Sequence, residues 1–175
     1  MWCISKKSLI FTGGMSVKYF ILFCFSLLLF TCIIAPEYSD IPAITFEGIN
    51  KNTIDQGRVK DDTLQIQIGF TDGDGDIGDP ANKANIFLLD DRDGKLITYS
   101  MPVIPQKGVA NGVKGTITIF HTTLFNVCCY YSNADPCTIP SVATKDTVTY
   151  KVYIEDRNGN KSNQVSLPPL VINCK

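Results

Sequence analysis

From Ile41 onward the chain alternates apolar and polar residues at period two. In "TLQIQIGF", Leu64, Ile66, Ile68 and Phe70 fall on one side, with Gln65, Gln67 and Gly69 on the other. Val148, Tyr150, Val152 and Ile154 repeat the pattern in "TVTYKVYIED", and Ile117 and Ile119 alternate with Thr116 and Thr118. Successive side chains of a strand point to opposite faces, so these segments are predicted as strands with one buried face. "IFLL", Ile86 to Leu89, is a continuous apolar run and is expected as a more deeply buried strand. No stretch beyond residue 42 carries a helical period. Seven strands are predicted: Ile44–Ile49, Thr63–Phe70, Asn85–Asp91, Leu96–Met101, Lys114–His121, Val148–Glu155 and Asn163–Ile172.

Turn chemistry separates these runs. "DDRDGK" is expected to close one hairpin and "DRNGN" another, because Asp-Gly and Asn-Gly suit the tight turns whose twist matches paired strands. "PQKGVANG" separates the next pair of runs. About seven short strands in roughly 130 residues is the pattern of an all-β, immunoglobulin-like or fibronectin-III-like sandwich, placed at residues 43–175. Residues 122–146 are less regular, hold three cysteines, and read as a long loop pinned by disulfides.

The N-terminal part differs in kind. Tyr19 to Ala35 reads "YFILFCFSLLLFTCIIA", an apolar run of 17 residues, with Lys6, Lys7 and Lys18 before it and no acidic residue. A basic flank followed by an apolar core is the form of a secretory signal, here residues 1–31, with Met15 as an alternative start. The run ends "LFTC", Leu29 to Cys32. This resembles the lipobox of bacterial lipoproteins, although Phe30 and Thr31 stand where small residues are usual. The resemblance implies that Cys32 is lipidated and becomes the mature N-terminus, with residues 32–42 as a tether to the membrane. An ordinary cleaved signal, or an uncleaved anchor, is the competing reading. Cys24 lies mid-run and fits the motif less well.

All 17 acidic residues but only 13 of the 16 basic ones lie from Cys32 onward, a net charge of −4 for the mature chain. That argues against nucleic acid as a partner. Four cysteines remain after Cys32: Cys128, Cys129, Cys137 and Cys174. An even number in an exported chain suggests disulfides, and four cysteines allow three pairings. Adjacent cysteines in extended chain face opposite ways, so Cys128 and Cys129 are not expected to pair with each other. One is expected to join Cys137 and the other to reach Cys174. A zinc site is disfavoured, since His121 is the only histidine and no CxxC pair occurs.

The stretch "TDGDGDIGD" places Asp72, Asp74, Asp76 and Asp79 within eight residues. Carboxylates so close repel unless solvated or neutralised. Calcium takes six to eight oxygens in flexible geometry, and alternate aspartates spaced by Gly73 and Gly75 let a chain wrap such an ion. The competing reading is a solvated Asp-Gly turn. In the sandwich topology this loop meets the turn at Asp156, Asn158 and Asn160 at one end of the domain. The Asn-Gly turn accounts for the two asparagines without a metal, leaving Asp156 as the better ligand candidate. The spacing is not that of an EF-hand, since the sixth position counted from Asp72 is Ile77 and the twelfth is Lys83. It resembles the aspartate-rich calcium loops of thrombospondin-type repeats and of bacterial cadherin-like and immunoglobulin-like modules.

Catalytic motifs are not legible: the sequence has no nucleophile elbow and no phosphate loop. A hydrolase using a carboxylate pair is the weakest of the readings considered. The chain as a whole resembles small lipoproteins of Gram-negative envelopes with one immunoglobulin-like domain. That resemblance implies a lipid anchor at the outer membrane, facing the periplasm or the surface; with the acidic loop and the lack of a catalytic motif, the expectation is a non-catalytic interaction or accessory module with a structural Ca2+. The alternative is a glycan- or protein-binding surface module without metal, for which Tyr130, Tyr131 and Tyr153 are candidate contacts.

Overall fold

The computed structural model describes residues 37–57, 62–104, 112–130, 135, 137 and 145–174. The predicted signal segment, Met15, Cys24 and Cys32 lie outside the described residues, as does Tyr131. Among the described residues the protein is all-β, a sandwich of ten strands and no helix. They are β1 (Ala43–Ile49), β2 (Thr53–Asp55), β3 (Thr63–Asp72), β4 (Ile86–Asp90), β5 (Leu96–Tyr99), β6 (Val113–Thr122), β7 (Lys145–Val148), β8 (Tyr150–Ile154), β9 (Val165–Ser166) and β10 (Leu170–Asn173).

One sheet has the order β1-β3-β6, all antiparallel. Its spine is the ladder between β3 and β6, which runs without interruption from Thr63↔Thr122 to Asp72↔Val113. At about 3.3 Å per residue this separates two poles of the domain by roughly 30 Å. The other layer is formed by β5-β4-β8-β9 and by β2-β10-β7, in which β2 runs parallel to β10. These two small sheets continue one another, because only Thr149 separates β7 from β8 and only residues 167–169 separate β9 from β10. The Leu167 N–H bridges the break to Tyr150 O at 2.8 Å.

Both tight turns close hairpins, β4–β5 and β8–β9. Gly94 adopts φ 75° and Gly159 φ 85° in them. The differences from the predicted strands have physical causes. Pro168 and Pro169 cannot donate to a ladder, so the last predicted strand splits in two. The strand before it divides at Thr149 because the chain changes partner there: Val148 pairs with Leu170 on β10, and Tyr150 pairs with Asp90 on β4. Strand β2 has three residues, too few to show alternation.

The alternation predicts the core well. Leu64, Ile66, Ile68 and Phe70 are buried, and across the sandwich so are Val148, Tyr150, Val152 and Ile154. Burying each such side chain stabilises the fold by about 1.5–3 kcal/mol. At the pole opposite Asp72, disulfides join Cys128 to Cys137 and Cys129 to Cys174. Arg92 ties the cysteine loop to the β4–β5 hairpin. Its guanidinium donates to Asp90 at 2.6 Å, to Asp146 at 2.7 Å and to Cys128 O at 3.1 Å, and lies 4.3 Å from the centre of the Tyr130 ring.

Candidate metal centre

The inward-facing stripe of β3 does not stop at Phe70. Two residues on, Asp72 occupies the same face, so the strand that buries Leu64 to Phe70 also buries a carboxylate. Strand β8 repeats the arrangement: Tyr150, Val152 and Ile154 point inward, and Asp156 follows in step. Gly75, at φ 68°, turns the chain between Asp72 and Asp76, and Gly78, at φ 83°, turns it again beyond Asp76. Gly73 serves differently: it admits close approach by residues 38–40 rather than an unusual φ.

These three carboxylates meet. One oxygen from each of Asp72, Asp76 and Asp156 lies within 4.8 Å of the other two. Asp72 is wholly buried, and neither of its oxygens has a hydrogen-bond partner; nor does Asp76 Oδ1. The Asp76 N–H faces Asp72 and opposes its protonation slightly, but it is hydrogen-bonded to Asp74 Oδ1 at 3.3 Å. Asp156 is held in place, its two oxygens accepting the Asn160 N–H and Asn160 Nδ2 at 2.8 Å each.

The electrostatics follow from this packing. Burial, reinforced by the charges of Asp74, Asp76 and Asp156, pushes the Asp72 carboxyl up to about 6. Burial and then the charges of Asp156 and Asp74 raise Asp76, with Arg157 pulling the other way. At an effective dielectric of about 20, two unit charges 4.8 Å apart repel by about 3.5 kcal/mol. Three buried carboxylates, with both oxygens of Asp72 and one of Asp76 lacking a partner, therefore call for a proton or a cation. Oxygens within 4.8 Å of one another are close enough to share one hard cation, which takes carboxylate oxygens at about 2.4 Å.

The remaining sequence candidates are placed differently. Asp74 is exposed and its Oδ2 accepts from Asn158 Nδ2 at 3.4 Å, which links the two loops at their surface. Asp79 stands outside the buried trio and caps its own turn, accepting the Ala81 N–H at 2.7 Å. Asn160, read from the sequence as a turn residue, is the residue that orients Asp156. The signal for the buried pair was present in the sequence: Asp72 and Asp156 each extend an apolar period-two stripe by one more inward step. Beside Asp156 a cleft of about 180 Å³ opens to solvent, with Lys83 and Arg157 on its walls.

His121 lies at the other pole, paired in register with Leu64, and is completely buried. Its Nδ1 shares a 2.5 Å hydrogen bond with the Tyr99 hydroxyl. Burial lowers its pKa to about 4, with Lys95 adding to the effect. A histidine so enclosed is out of reach of the acidic pole and of solvent. No family model, curated protein or solved structure matches the chain.

Proposed function

We propose that the protein is a lipid-anchored, non-catalytic module of the bacterial envelope whose sandwich is braced at one pole by a calcium ion. Asp72, Asp76 and Asp156 hold the ion, with Asp74 at the surface of the same site. The observation that carries the metal reading is Asp72, a fully buried carboxylate with neither oxygen satisfied, facing two other carboxylates. The ion is structural, joining the loop after β3 to the loop after β8. The order of β1-β3-β6 against β5-β4-β8-β9, with β2 parallel to β10, supports the immunoglobulin-like assignment. The anchor rests on the "LFTC" motif and the apolar run before it.

A thermal melt of the full chain in calcium chloride and in EGTA tests the metal. An ion at 100 times its Kd stabilises the folded state by about 2.7 kcal/mol, a rise of several degrees in Tm. Equal melting temperatures in the two buffers would remove calcium from the account. Metabolic labelling with palmitate tests the anchor, and Cys32→Ser is expected to abolish the label.

A further inference from the structure

The two loops that supply the buried carboxylates also hold the start of β1. From the first loop, the Gly73 N–H donates to Ser39 O at 2.7 Å. A Cβ on Gly73 would overlap Tyr38 O and sit 2.8 Å from Asp40 Oδ1, so only glycine admits this approach. From the second loop, Asn163 grips Ile44 twice. Its Nδ2 donates to Ile44 O at 2.9 Å, and its Oδ1 accepts the Ile44 N–H at 2.8 Å. The Asn163 amide thus takes the place of a neighbouring strand on the open edge of β1. Ile44 itself is rooted in the core and paired with Phe70, but little else secures the residues before it, since within residues 37–43 only Pro42 is buried.

We infer that cation binding latches residues 37–43 onto the domain, and that removing the cation releases this segment up to its root at Ile44 while the rest of the sandwich stays folded. The inference rests on the calcium reading above. Without an ion, the carboxylates of Asp72 and Asp76 on one loop repel that of Asp156 on the other. Separating the two loops relieves the repulsion. Gly73 moves with the first loop and Asn163 with the second, so the two grips on the segment cannot both be kept. The sandwich itself is pinned elsewhere, by the unbroken β3–β6 ladder and by the Cys129–Cys174 disulfide at the far pole. The segment joins residues 1–35 to the domain. Its release adds seven residues to that link, at most about 25 Å of extra reach. Coupling is reciprocal, so cutting the latch weakens calcium binding by the same factor.

Hydrogen exchange on the full chain, in calcium chloride and in EGTA, tests this, with calcium affinity measured in parallel by calorimetry. Peptides covering residues 37–46 are expected to exchange about tenfold faster in EGTA, within the range usual for coupled sites. Peptides covering 63–70 and 170–173 are expected to hold their rates. Asn163→Ala is expected to free the segment even in calcium and to weaken calcium binding about tenfold, and Gly73→Ala to act likewise from the other loop. Calcium binding with unchanged exchange at 37–46 would overturn the latch and leave the metal site standing. An equal change across the whole domain would also overturn it, as global stabilisation alone. Failure to bind calcium would end both.

Discussion

Replacing Asp72 by Asn should change sign with calcium. In EGTA, Asp72 is a buried carboxylate whose pKa is raised from 3.8 to about 6, burial being the main cause and the neighbouring carboxylates the second. A raised folded-state pKa means the folded protein holds the proton more tightly than the unfolded chain does. The associated stability is complete below the unfolded value and is lost as pH rises through the folded one. Two units correspond to about 3 kcal/mol. Relaxation of the loop around the charged group recovers part of this, so about 2 kcal/mol is the expected penalty near pH 7.5. Asn is nearly isosteric and uncharged, and its amide can donate to the carboxylates around it. Asp72→Asn should therefore stabilise the cation-free protein by about 2 kcal/mol near neutral pH, roughly 6 °C in Tm. The gain should vanish near pH 4. In saturating calcium the order should invert, because the wild type gains about 2.7 kcal/mol at 100 times its Kd and the variant lacks a ligand. Melts of both proteins, in EGTA and in calcium, at the two pH values measure all of this. If Asp72→Asn lowered Tm in EGTA near neutral pH, Asp72 would have a partner in the folded protein, and the case for an ion there would fail.

His121 carries the opposite pH dependence. Its pKa is lowered to about 4 by burial, so stability is complete above the unfolded value of 6.5 and is lost as pH falls through the folded one. In the Asp72→Asn background, acidification across that window should cost about 3 kcal/mol by urea titration, and His121→Leu should flatten the slope. The disulfides should differ in worth, because Cys129–Cys174 spans 45 residues and Cys128–Cys137 spans 9. Loop-closure entropy then assigns about 4 kcal/mol to the first and about 2.5 to the second, testable by denaturant unfolding of the two paired Cys→Ala variants. Arg92→Ala should lose about 3 kcal/mol, since it leaves the buried Asp90 without its counter-charge, and Asp90→Asn should recover part of that loss.

The class of fold is legible in the order of residues alone. Period-two alternation marks the inward stripes of β1, β3, β6 and β8, because a strand with one buried face must alternate whatever it packs against. The Asp-Gly and Asn-Gly turns likewise named their hairpins, since the turn geometry is a local property of those residues. Where non-local forces decide, the pattern was silent. Strand β2 exists only because β10 offers it a parallel edge, and the breaks at Thr149 and Pro168–Pro169 show only when the partner strands are in place. The acidic stretch was conspicuous as a charge cluster, but its members are alike in sequence and unlike in the fold. Register buries Asp72 beyond Phe70 and leaves Asp74 in water. Asp79 turns back on its own chain, and Asp156 comes from 84 residues beyond Asp72 to complete the trio. Which of several similar carboxylates loses its water depends on the face of the strand and on the loop folded over it, and only the tertiary structure sets both.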